Sequence, residues 1–129
     1  MVEHELLILA IEEKWPDLVH GRDYWVGHPL DPVTGLQSGN AFIAEWKCDV
    51  DEPDIGSLLS RAEELRPVLV AEKVRARRDS LLAASDWTQA PDVPAGTREK
   101  WTAYRSALRD IPNQPGFPFD VEWPEAPTD

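Results

Sequence analysis

Cys48 and the serines Ser57, Ser60, Ser80 and Ser85 are the side chains of this sequence that can act as nucleophiles. His4, His20 and His28 are the bases that can activate them. Nucleophilic catalysis needs such a pair within hydrogen-bond reach, with a third group orienting the base. None of the serines stands in a Gly-x-Ser-x-Gly elbow, and three scattered histidines more often serve as surface or strand residues. No catalytic residue is therefore expected. Asp49, Asp51 and Asp54 resemble the opening of a calcium loop. That loop needs Gly at its sixth position and Glu at its twelfth, where this chain has Asp54 and Ser60. A solvated acidic turn is the simpler reading. Cys48 with His28 falls two ligands short of a zinc site, so neither a metal nor a cofactor is expected.

Lys73, Arg75, Arg77 and Arg78 form a basic run that nucleic acid could use. On a helix these four point in successive directions and make no single row for a groove. The whole chain opposes that use as well. It has 13 Lys+Arg against 24 Asp+Glu and a net charge of −11 over 129 residues. Long-range repulsion from phosphates and anionic lipids removes nucleic acid and membranes from the expected partners. A protein partner remains. The charge is also unevenly placed, with residues 1–54 at −9, residues 55–78 at +3 and residues 79–129 at −5.

A chain of this length forms one domain or two very small units. Its single cysteine excludes an intrachain disulfide. The apolar run Leu6–Ile11 follows Glu3, His4 and Glu5, where a secretion signal would carry Lys or Arg. The expected location is the cytoplasm. Of 12 prolines, nine lie at or beyond Pro53, and there are six tryptophans, Trp15, Trp25, Trp46, Trp87, Trp101 and Trp123. Each such ring buries on the order of 150–250 Å², so a few of them can carry a core or an interface.

These residues need elements to hold them. Leu7, Ile8, Ile11 and Trp15 share a face of a helix over residues 3–15, which Pro16 ends. Residues 23–28 and 41–48 read as an antiparallel strand pair, joined by a long loop containing Pro29, Pro32, Gly35 and Gly39. A two-stranded ribbon is marginal alone, so the first helix should cover it. Asp54 is suited to cap a helix carrying Leu58, Ala62, Leu65 and Leu69. A kink is expected near Arg66–Pro67, followed by a longer helix to Ser85 with Val70, Val74 and Leu81 on one side. Thr97 is a fair cap for a third helix, whose Trp101, Tyr104, Leu108 and Ile111 fall on one face before Pro112 ends it. Beyond it, Gln114-Pro115-Gly116-Phe117 suits a type II turn. Phe117, Phe119, Val121 and Trp123 then alternate along an extended arm. That arm can pack on its own Trp101/Tyr104 face or lie against a partner.

One stretch, Arg78 to Pro124, carries a family likeness. Its elements are Arg78-Asp79-Ser80-Leu81-Leu82, Ser85-Asp86-Trp87-Thr88-Gln89 and Pro91-Asp92-Val93-Pro94. Then come Trp101-Thr102-Ala103-Tyr104-Arg105, Ala107-Leu108-Arg109-Asp110-Ile111-Pro112, Gln114-Pro115-Gly116-Phe117-Pro118 and Val121-Glu122-Trp123-Pro124. In order, spacing and residue type it resembles the bacteriophage tail assembly chaperone and tail-fibre assembly proteins. The resemblance implies a non-enzymatic protein of the infected cell's cytoplasm that binds a phage tail or tail-fibre protein. The competing reading is a permanent component of the tail, baseplate or fibre attachment. Residues 1–66 carry no resemblance to a known family, so the partner is not named.

The sequence therefore predicts an α+β protein. An N-terminal helix packs on a small antiparallel β-ribbon, followed by a kinked helical connector and a C-terminal helix with an extended Pro- and aromatic-rich arm. Its expected parts are an N-terminal α/β unit over 1–54, the connector over 55–85 and a chaperone-like module over 86–129. Trp87, Trp101, Tyr104, Phe117, Phe119 and Trp123 are the candidates for partner contact.

Overall fold

A computed structural model describes residues 1–128. It contains three helices, a two-stranded antiparallel ribbon and two short 3₁₀ turns. The chain resolves into two compact units, Met1–Arg66 and the part from Pro67 onward.

In the first unit, α1 (His4–Lys14) turns Leu6, Leu7, Ala10 and Ile11 inward. This buried face is one position out of phase with the expected Leu7/Ile8/Ile11/Trp15 stripe, because Leu6 replaces Ile8 at its centre. Trp15 leaves the helix at its C-terminal end, as the following proline requires. There it meets Trp46 edge-on, with ring centroids 5.5 Å apart. The ribbon pairs β1 (Tyr24–Gly27) with β2 (Phe42–Trp46), and its register shifts between Trp25 and Val26. Helix α1 lies against β1, and Tyr24 of that strand is completely buried. The intervening loop is ordered by Asp31, whose Oδ1 accepts bonds from the Val33 and Thr34 amides. Gly35 takes a positive φ of 72° there, a conformation that favours glycine.

Helix α2 (Ile55–Ala84) begins at Asp54, whose Oδ2 accepts from the Ser57 amide at 3.0 Å and from its hydroxyl at 2.9 Å. The expected stripe holds in its first part, where Leu58, Ala62 and Leu65 are buried. Two arginines of α2 tie it to α1 and the N-terminus. Arg61 forms a forked pair with Glu13 at 2.8–3.1 Å. Arg66 holds Glu3 and Glu63. The helix does not end or restart at Pro67, which lies inside it. Proline removes one amide donor, leaving the Glu63 carbonyl without its i+4 partner. Strong helix formers on both sides carry the helix past that one defect.

The second unit is built on α3 (Ala95–Arg109), which starts two residues before the expected Thr97 cap, directly after Pro94. Tyr104, Leu108 and Ile111 form its buried cluster. Val74, Leu81, Leu82, Trp101, Phe117, Val121 and Trp123 pack around them. The expected Trp101/Tyr104/Leu108/Ile111 face is therefore the face that α3 buries.

Candidate partner-binding site

Several polar residues of the second unit make one connected network. Helix α2 ends at Ala84 with carbonyls that have no partner within the helix. Arg105 of α3 reaches back to them. Its Nη1 donates to the Leu82 carbonyl at 2.6 Å and to Ser85 Oγ at 2.7 Å, and its Nη2 donates to Asp86 Oδ1 at 2.8 Å. The guanidinium is buried while Asp86 stays open to solvent, so the charge is taken from water only on one side. Its position also suits the negative end of the α2 dipole.

Residues Asp86–Gln89 form a 3₁₀ turn where a loop is expected. Thr88 is fully buried and donates its hydroxyl to the Ser85 carbonyl at 2.6 Å. Gln89 continues the chain of bonds, with its Oε1 3.1 Å from Thr102 Oγ1 on α3. The turn holds Trp87 over Trp101 at a centroid distance of 6.0 Å. Trp101 in turn meets Tyr104 edge-to-face at 5.5 Å and 86°. The Trp87 segment thus closes over the α3 face.

After α3 the chain turns back on itself. A bond from the Phe117 amide to the Gln114 carbonyl closes the expected turn. Gly116 is not at positive φ, however, so the turn is not type II. Gly116 is needed for space instead. A Cβ there would lie 2.3 Å from the Asp120 carbonyl oxygen, because the Asp120 amide donates to the Gly116 carbonyl at 2.8 Å. The Gln114 side chain then clamps the arm. Its Nε2 donates to the Glu122 carbonyl at 2.8 Å, and its Oε1 accepts from the Glu122 amide at 2.9 Å.

This folding divides the six aromatic candidates. Tyr104 is buried, and Trp101, Phe117 and Trp123 pack on its cluster. Arg75 lies 5.2 Å from the Phe117 ring centroid and Arg77 lies 4.1 Å from that of Trp123. Half of the basic run is therefore used to cover the arm, and Arg78 pairs with Asp79. Trp87 and Phe119 face out, at 59% and 62% exposure. Phe119 leaves the expected alternation because the close turn at Gly116–Asp120 rotates it away from the core.

The second unit coincides with a known sequence family. Residues 71–128 match the family model described as phage tail assembly chaperone protein. Over those residues the chain is similar to the phage tail assembly chaperone family. Residues 7–67 match a second model, described as XkdW protein. The gap between the two matches, residues 68–70, lies in α2 just beyond the point where the two compact units divide. No curated protein and no solved structure matches the chain. The match ties this part of the chain to phage tail assembly.

The candidate nucleophiles and bases take other places. Val26 donates its amide to His20 Nε2 at 3.1 Å. His4 and His28 stack on each other, with their Nδ1 atoms 3.2 Å apart. Ser57 serves the Asp54 cap and Ser85 the end of α2. Among the described residues no three His, Cys, Asp or Glu side chains converge on one point. No described helix is long and apolar enough to cross a membrane. Sequence reasoning did not find the roles of Arg105, Gln114 and Gly116. All three lie in the family-like motif, and their signal was a buried-type spacing on α3 and a Pro-Gly pair in the arm.

Proposed function

We propose that this protein is a phage tail assembly chaperone that binds tail or tail-fibre polypeptides without chemistry of its own. The carrying observation is that one family model covers nearly all of the second unit. The exposed rings of Trp87 and Phe119, held on a rigid frame, supply its contact surface. Trp101, Tyr104, Phe117 and Trp123 set that frame, and three of them, Trp101, Phe117 and Trp123, remain half-covered. Large rings held with few free torsions lose little entropy on binding, which is why such residues anchor interfaces. The excess negative charge keeps the complex soluble. The reading places the protein in the host cytoplasm during assembly, in contact with polypeptide and with neither nucleic acid nor membrane. Co-expression tests it: the partner's soluble yield rises with this chain and not without it. The competing assignment, a lasting part of tail, baseplate or fibre attachment, predicts stoichiometric copies in purified particles by mass spectrometry. The chaperone reading predicts their absence.

A further inference from the structure

Among the described residues strand β2 has β1 as its one partner in the sheet, so its other edge carries backbone groups that no described strand satisfies. Such edges are templates for another chain unless they are covered. Phe42 at the start of β2 is 44% exposed, and Ala44 and Glu45 are exposed as well. Against the strand lies a hollow of about 400 Å³ lined by Phe42, Ile43, Glu52, Pro53, Asp54 and Ile55. Glu52 and Asp54 place two carboxylates in that lining, and Asp49 and Asp51 stand just before them in sequence. Residues 48–60 contain four carboxylates and no Lys or Arg. Asp54 is committed to the α2 cap, whereas Asp49, Asp51 and Glu52 make no ion pair within the described residues. The cation just before them, Lys47, is engaged by Glu45 at 3.3 Å and lies over the Trp25 ring.

We infer that β2 and this hollow take an extended, basic segment of another polypeptide as an added strand. Main-chain bonds to the open edge supply affinity, and side-chain alternation supplies fit. On such a strand, apolar residues face the hollow while Lys or Arg residues meet Asp49, Asp51 and Glu52. A second copy of this chain is a poor occupant, because it sets one group of carboxylates against another. The inference rests on the proposed chaperone reading and gives the first unit a role in it, separate from the aromatic surface of the second unit.

The test uses the full chain, labelled with nitrogen-15, and two blocked ten-residue peptides. One alternates Lys with Val and the other alternates Glu with Val. The expected result is that only the Lys/Val peptide shifts the amides of residues 42–46 and slows their hydrogen exchange. Charge reversal by Asp51→Lys with Glu52→Lys should weaken that binding at least tenfold (a threshold set by the 1.4 kcal/mol per decade of affinity), with the remaining spectrum unchanged. Equal binding of both peptides, shifts confined to other residues, or indifference to charge reversal would overturn the inference. Co-expression separates the two claims. A tail polypeptide solubilised equally by the charge-reversed and natural chains removes this surface and leaves the chaperone reading intact.

Discussion

Arg105 Nη2 meets Asp86 Oδ1 at 2.8 Å across the junction between α3 and the turn that follows α2. This pair, with Ser85 and the Leu82 carbonyl, fixes the turn that presents Trp87. Replacing Arg105 with Met keeps the apolar stem and removes every donor. Hydrogen bonds from a charged group contribute about 1.5–3 kcal/mol each where they are buried. Arg105→Met should therefore cost roughly 2–3 kcal/mol in urea unfolding. Asp86→Ala should cost less, since its carboxylate stays hydrated.

Gly116 makes a second prediction. An alanine Cβ cannot sit 2.3 Å from the Asp120 carbonyl oxygen, and the flexible end of a side chain is not what blocks it. Overpacking of this kind costs about 1–3 kcal/mol. Gly116→Ala should open the 116–120 turn and raise hydrogen exchange at Asp120 and Glu122, both read by amide exchange. Unchanged protection at these two amides would contradict the described turn.

Tyr24 gives the first unit an alkaline limit. Its ring is fully enclosed and its hydroxyl finds no partner. Burial, with Glu12 and Asp23 nearby, pushes its pKa up to about 12. The folded state therefore holds the phenol proton more tightly than the unfolded chain. Its contribution is intact below about pH 10, the ordinary tyrosine value, and is lost as the pH rises through about 12. Tyr24→Phe should remove that alkaline loss. At neutral pH it should leave stability unchanged or raise it by about 1 kcal/mol, because an unpaired buried hydroxyl is costly. Urea unfolding of both proteins at pH 7 and pH 11 checks both statements.

Trp123 is half-buried and packed on the Tyr104 cluster under Arg77. Trp123→Ala should destabilise the second unit by about 2–4 kcal/mol, toward the lower end of the range for large rings because the ring is not wholly enclosed. The melting curve should shift downward. Phe119→Ala should leave it within about 0.5 kcal/mol, as for other exposed positions.

The sequence made the α3 face readable because Trp101, Tyr104, Leu108 and Ile111 repeat at helical spacing and all of them are apolar. The Asp54 cap and the ribbon were readable for the same reason: their chemistry is local. The continuity of α2 was not, since Pro67 is a local breaker that surrounding helix formers overrule. Gly116 looked like a turn glycine of positive φ. Its actual requirement is set by Asp120, four residues on, which no dipeptide preference encodes. The roles of Arg75 and Arg77 were hidden because a basic run shows its charge but not the rings of Phe117 and Trp123 that lie beneath it. The split among the aromatic candidates has the same origin. Which rings are covered depends on how the arm folds back, and that depends on contacts distant in sequence.

The most direct measurement titrates a purified tail or tail-fibre polypeptide of the phage with the natural chain and with the Trp87→Ala/Phe119→Ala double variant. Calorimetric affinity and the melting temperature of each chain are recorded together. The account predicts that the natural chain binds, and that the double variant binds at least tenfold more weakly, about 1.4 kcal/mol, while melting at the same temperature. Equal affinity of the two chains, or a natural chain that binds none of the phage's tail polypeptides, would contradict it.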